Sequence, residues 1–200
     1  MNFLAHMFLS FNDQDLLVGQ FIADEVKGSR FDAISQGWIK GILLHRHIDD
    51  YTDHHPVNTA LRAQLRPYLG LLSPVAIDVW YDHMLAREWA RYHPMPLEDF
   101  VQQSLTILDG MSNDLPEKSA HRLKLMIEHN WLMQYATVHG IHTTFLMMSR
   151  RFPFASNLSK APDIWPLMQK NIEESFFAFI PDLISAAEKK IAYGNSDGQK

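Results

Sequence analysis

Apolar residues recur at helical intervals along almost the whole chain, and this periodicity constrains the fold more than any other feature. Between residues 13 and 27, for example, the apolar side chains are those of Leu16, Leu17, Phe21, Ile22 and Val26. The alternation of apolar and polar residues that is typical of strands is short wherever it occurs, and clusters of β-branched residues are scarce. The sequence therefore predicts an all-α fold, a helical bundle.

Caps and helix breakers divide the chain into predicted segments. We predict an apolar core segment over 1–11, helices over 13–27, 32–53, 56–69, 74–92, 97–108, 117–138 and 141–151, a loop over 152–166, and a final helix pair over 167–179 and 181–193. Gly37 and Gly41 lie four residues apart on the second of these helices, which would let another backbone or a ligand approach closely.

Composition bounds the remaining possibilities. With 200 residues, 46% of them hydrophobic, we expect a single helical domain over 1–193 and a polar, disordered tail over 194–200. The absence of cysteine excludes disulfides and thiolate metal sites, so any metal must be held by histidine and carboxylates. No apolar run is long enough to cross a bilayer, and a net charge of −5 gives no footprint for nucleic acid. We expect a cytoplasmic protein with no membrane insertion.

The stretch from Gly41 to Asp53 places candidate metal ligands at helical spacing. His45 and Asp49 lie four residues apart and therefore share one helix face. Elsewhere, ligand-type residues are embedded in apolar sequence, where an unpaired charge is costly; these are His6, Asp24, Asp78, Asp82 and His83. Each of them alone is also compatible with a structural or capping role, but together they favour a metal site.

Several motifs, in order, resemble the bacterial acyl carrier protein phosphodiesterases. They are Met-Asn-Phe-Leu-Ala-His at 1–6, Gly-Gln-Phe-Ile-Ala-Asp at 19–24, Gly-Ile-Leu-Leu-His-Arg-His-Ile-Asp at 41–49, Thr-Asp at 52–53, Asp-Val-Trp-Tyr-Asp-His at 78–83 and Ser-Arg-Arg at 149–151. The resemblance implies an all-helical, HD-domain-like fold and Mn²⁺-dependent removal of 4′-phosphopantetheine from holo acyl carrier protein, an acidic protein substrate. This chain departs from the usual HD pattern because it has no His-Asp dipeptide.

The implied chemistry assigns roles to particular residues. We expect Asp24, His45, Asp49 and Asp82 to bind Mn²⁺, or Mg²⁺ or another divalent cation, with Asp24 also serving as the base. His6 and His83, with Asp53 and Asp78, are further candidate ligands or orienting residues, and Lys27 and Arg46 are candidates for phosphate binding. The candidates for docking the carrier protein are Arg150 with Arg151, Arg62 with Arg66, and Arg87 with Arg91. Two alternatives stay open: an HD-like hydrolase of nucleotides or other small phosphate esters, and a helical ligand-binding module without catalysis.

Overall fold

The computed structural model describes residues 1–28, 31, 34–151 and 153–196. Within these ranges the chain forms helices and connecting turns with no strand, which confirms the predicted all-α fold. In chain order the helices are α1 (Phe3–Phe8), α2 (Gln14–Ile22), α3 (Gln36–His54), α4 (Pro56–Leu69), α5 (Ser73–Arg87), α6 (Leu97–Gly110), α7 (Glu117–Glu128), α8 (Trp131–Gln134), α9 (Val138–Arg151) and α10 (Ala161–Ser196). Short 3₁₀ turns follow α2, α4, α5 and α9.

Side-chain caps fix where several helices begin. The side chain of Asp13 accepts a hydrogen bond from the backbone N–H of Leu16 and starts α2, and Ser35 does the same for Trp38 at the start of α3. Pro56 occupies the first position of α4, where its missing N–H costs nothing. The local sequence therefore determines where α2, α3 and α4 begin.

Helix α5 lies at the centre of the bundle and packs against α1, α4, α9 and α10. Trp80 and Tyr81 of α5 are fully buried, as are Phe176 and Phe179 of α10. A helix that is buried on nearly every side has few positions for a charge, so the polar residues that α5 does carry need partners inside the protein.

The structure corrects several predicted helix boundaries. The predicted helix over 117–138 is interrupted at Asn130, whose left-handed φ of 46° ends α7 and precedes the short α8. The predicted loop over 152–166 instead contains a 3₁₀ turn at Pro153–Lys160 and the first residues of α10. The predicted final pair is one helix with Pro166 and Pro181 inside it. Burial of its apolar face by α3, α4 and α5 outweighs the roughly 3 kcal/mol cost of an internal proline.

Two predictions reach beyond the described residues. The start of the predicted helix at residue 32 lies outside them, and the described α3 begins at Gln36. Of the predicted tail, residues 194–196 continue α10 and residues 197–200 lie outside the described part of the chain.

Candidate metal centre

Helices α2 and α3 pack backbone against backbone through two glycines. A Cβ atom placed on Gly19 would lie 2.2 Å from the carbonyl oxygen of Trp38, and one placed on Gly41 would lie 2.6 Å from that of Leu16. Only glycine fits at such distances. The close approach brings the end of α2, with Gln20 and the residues that follow it, next to the middle of α3.

Two histidines and one aspartate converge at this contact. Nε2 of His6 lies 3.2 Å from Oδ1 of Asp49, and Nε2 of His45 lies 3.1 Å from Oδ2 of the same carboxylate. The two imidazole rings stack with their centroids 4.0 Å apart. One ligand atom from each of His6, His45 and Asp49 falls within 4.8 Å of the others, a spacing at which a single cation can be bound by all three.

Asp24 extends the cluster toward solvent. It lies in the 3₁₀ turn Ala23–Glu25 directly after α2, and its Oδ1 is 3.3 Å from Nε2 of His45. Its side chain is 58% exposed, while that of His45 is 10% exposed. A cavity of about 70 Å³ is lined by all four residues, together with Gln20 and the aromatic rings of Phe3 and Phe21. Asp24, His45 and Asp49 are thus brought together as predicted, and His6 joins them.

The charges of the cluster follow from its burial and its hydrogen bonds. Burial, together with the neighbouring His45, lowers the pKa of His6 to about 4, so that this ring is neutral at pH 7. Burial also opposes a charge on His45, but hydrogen bonds to Asp24 and Asp49 prevail and raise its pKa to about 9. Burial would raise the pKa of Asp49, yet its contacts with the two imidazoles hold it well below the usual range. The cluster without a cation therefore contains one imidazolium between two carboxylates.

Asp82, which we expected to bind the metal, lies away from this cluster. Its two carboxylate oxygens accept hydrogen bonds from the backbone N–H groups of Leu4 (2.8 Å) and Ala5 (3.3 Å). These N–H groups belong to the first turn of α1 and have no partner within the helix. Burial raises the pKa of Asp82 to about 7 against the effect of these bonds. Asp82 therefore anchors α1, the helix that carries His6, from the centre of the bundle.

The other predicted ligands on α5 and α3 also have partners elsewhere. Nδ1 of His83 donates to the carbonyl oxygen of Tyr135 at 2.7 Å. Asp78 is 3.0 Å from the amino group of Met1, which lies 3.5 Å from Oδ1 of Asp49. Asp53 is exposed and forms an ion pair with Arg62 at 3.2 Å. Of the three, only Asp78 is linked to the cluster, and it is linked through one intermediate group.

Of Arg46, Lys27 and Arg150, which were predicted to bind phosphate or the carrier protein, the first makes internal hydrogen bonds and the other two are exposed. Arg46 donates to the carbonyl oxygens of Val26 (2.6 Å) and Gly28 (2.8 Å), so it fastens the segment after Asp24 to α3. Lys27 and Arg150 are exposed, and the side chain of Arg151 lies outside the described residues.

Two residues at the site were not predicted. Gln20 is buried and hydrogen-bonded to Nδ1 of His6; its signal is a lone amide within the apolar run of α2. Arg122 of α7 donates to the carbonyl oxygen of Phe21 at 2.7 Å and lies over the rings of Phe3 and Phe21, 5.1 and 4.9 Å from their centroids. Nothing in the local sequence around Arg122 indicates this long-range contact.

Comparison with known proteins identifies related chains. The family described as "Acyl carrier protein phosphodiesterase" matches residues 1–183. Proteins named acyl carrier protein phosphodiesterase from Enterobacter sp. (strain 638) and Escherichia coli (strain K12 / DH10B) are each 30% identical over 95% of this chain and 99% of their own length. No solved structure matches the chain. In the part of the chain that the structure describes, no helix is both long enough and apolar enough to span a membrane.

Proposed function

Because the chain belongs to the acyl carrier protein phosphodiesterase family, we propose that it hydrolyses the phosphodiester bond that links 4′-phosphopantetheine to holo acyl carrier protein, using a divalent cation. The observation that supports a bound cation is the convergence of His6, His45 and Asp49, whose ligand atoms lie within 4.8 Å of one another on the wall of a cavity. The proposed substrate follows from the family relationship.

The residues present fit a divalent cation of intermediate hardness. Two imidazole nitrogens and carboxylate oxygens are available, and the chain has no thiol to favour a softer metal. We propose Mn²⁺, with Mg²⁺ as the alternative, held by His6, His45 and Asp49 with Asp24 beside them. When bound, such a cation offsets negative charge on the phosphoryl oxygens and acidifies a water molecule.

Asp24 is the candidate base of the reaction. Without a cation, the hydrogen bond from His45 lowers the pKa of Asp24, and a bound cation beside it would also favour the ionised carboxylate. Its partial exposure at the cavity leaves an oxygen that can take the proton of the attacking water. As the water oxygen bonds to phosphorus, the bond from phosphorus to the carrier oxygen breaks, and that oxygen receives the proton that Asp24 took from the water.

The remaining walls of the cavity suit the neutral part of the substrate. Phe3 and Phe21 present aromatic rings beside the polar cluster, and Arg122 fixes them from outside through its contact with both. Lys27 and Arg150 are exposed cations, and with Arg151 they remain our candidates for contacts with the acidic carrier protein.

The experiment that tests the proposal uses holo acyl carrier protein as substrate. Purified protein is incubated with the carrier and Mn²⁺, and mass spectrometry follows the loss of the phosphopantetheine mass. We expect wild-type protein and Asp50→Asn to convert the carrier and Asp49→Asn to leave it intact. Asp50 is a matched control because it is adjacent in sequence but exposed, and it pairs with His54 outside the cavity. An unchanged carrier mass, with turnover of nucleotides instead, would refute the proposed substrate.

A further inference from the structure

Gln20 contacts the ring nitrogen of His6 that does not face Asp49. Its Oε1 lies 3.0 Å from Nδ1 of His6, while Nε2 of His6 lies 3.2 Å from Oδ1 of Asp49. The Gln20 residue is only 2% exposed and also lines the cavity. A buried amide in contact with a candidate ligand affects which ring nitrogen carries the hydrogen.

The orientation of the Gln20 amide follows from its other two contacts. Its Nε2 lies 2.8 Å from the carbonyl oxygen of His6, which can only accept, so the NH₂ group must be on this side. The hydroxyl of Ser10 donates to the same carbonyl oxygen at 3.1 Å. The Ser10 oxygen is therefore left to accept the second amide hydrogen at 2.9 Å. Reversing the amide would place Oε1 against the carbonyl oxygen of His6, which cannot donate.

This orientation determines the tautomer of His6. Oε1 of Gln20 can only accept, so Nδ1 of His6 must carry the ring hydrogen. An imidazole that binds a cation through Nε2 has one such hydrogen, and that hydrogen must be on Nδ1. Nε2, which lies 3.2 Å from Oδ1 of Asp49, is then the nitrogen left for the cation. The contact with Gln20 therefore favours the tautomer in which Nε2 of His6 can bind a metal.

We propose that Gln20 is a positioning residue that holds His6 in the tautomer with hydrogen on Nδ1 and so directs Nε2 to the cation. The proposal rests on the metal-dependent function proposed above, but its first test requires neither metal nor substrate. In the competing tautomer, Nε2–H would donate to Asp49, and a metal could bind only after that hydrogen had moved.

The test is a long-range ¹H–¹⁵N spectrum of the histidine rings in the full-length, metal-free protein at pH 7, with His6 assigned by its loss in His6→Gln. We expect Nδ1 of His6 to carry the hydrogen in wild type. Gln20→Met removes the acceptor at similar volume, so His6 should change to the Nε2–H tautomer. Calorimetric titration should then show Mn²⁺ binding weakened about 10–100-fold.

Ser10→Ala is the matched control. It removes a buried hydroxyl from the same network but leaves the bond from the Gln20 amide to the His6 carbonyl, so the tautomer should not change. A wild-type spectrum with hydrogen on Nε2 would overturn the proposal without any variant, even if Gln20→Met fails to fold. So would a folded Gln20→Met protein that retains the wild-type tautomer or Mn²⁺ affinity. If the tautomer and its dependence on Gln20 are as expected but the carrier is not hydrolysed, only the proposed substrate fails.

Discussion

Replacement of Gly41 by alanine tests whether the backbone contact between α2 and α3 determines the geometry of the metal site. The new Cβ would lie 2.6 Å from the carbonyl oxygen of Leu16 and 2.8 Å from Cα of Gly19, whereas ordinary contact begins near 3.4 Å. The shortfall of 3.4 − 2.6 = 0.8 Å must be met by moving one backbone away from the other. No flexible side chain is available to yield at this point.

Two opposing effects determine the magnitude. Forcing an extra carbon into a packed interface costs about 1–3 kcal/mol, and replacing glycine by alanine inside a helix returns up to about 1 kcal/mol. We expect a net loss of about 1–2 kcal/mol, which lowers the Tm of a chain of this size by about 2–8 °C. The displacement also exceeds the roughly 0.2 Å tolerance of metal–ligand distances. Mn²⁺ binding should therefore weaken about 10–100-fold, as when a ligand loses its support.

Gly37→Ala provides the matched control on the same helix. A Cβ at Gly37 would meet the side chain of Asp15, 2.1 Å from Oδ2, and this exposed side chain can rotate away. We therefore expect Gly37→Ala to leave stability unchanged or raise it by up to about 1 kcal/mol. Thermal unfolding and calorimetric Mn²⁺ titration measure both effects. If Gly41→Ala matches wild type in both stability and Mn²⁺ affinity, or if Gly37→Ala is equally destabilised, the glycine contact does not determine the geometry of the metal site.

Two further predictions concern individual groups of the site. Raising the pH from 7 to 9 should tighten Mn²⁺ binding about 50-fold, because a cation at Nε2 of His45 displaces a proton held with a pKa of about 9, and about half of the protein still carries this proton at pH 9. Calorimetry in buffers of different ionisation enthalpy should detect about one proton released, and a dissociation constant independent of pH would contradict this displacement. Asp82→Asn should lower the free energy of unfolding by about 1–3 kcal/mol, because it weakens the buried acceptor for the first turn of α1. It should still bind Mn²⁺ with wild-type stoichiometry, unlike Asp49→Asn; a folded Asp82→Asn protein that binds no Mn²⁺ would make Asp82 a ligand after all.

Local periodicity predicted the fold class and the part of the site that lies on one helix. His45 and Asp49 share a face of α3 because four residues separate them, and this is a property of the helix alone. Asp24 was found because it lies at the end of a predicted helix, among apolar residues. The close packing suggested for Gly41 also occurs, although Gly19 of α2, its partner, was not identified.

The roles that depended on long-range packing were not predictable. Asp82 is embedded in apolar sequence both when it binds a metal and when it caps another helix, and only the position of α1 distinguishes these cases. Arg46 has the same ambiguity, since carbonyl oxygens and phosphates both attract a guanidinium group. The predicted break at the prolines of α10 is wrong for a related reason. Burial of the helix outweighs the tendency of proline to end a helix, and this burial is not visible in the local sequence.

The order in which the site is assembled along the chain has a consequence for protein synthesis. Every proposed ligand atom lies within residues 6–49, but Asp82 and Arg122, which hold α1 and the end of α2, come from later helices. A nascent chain that has exposed α1 to α3 carries the full ligand set without the contacts that fix its geometry. We therefore expect high-affinity metal uptake only after α5 and α7 have emerged from the ribosome and docked, which makes metal binding a late event in the maturation of this protein.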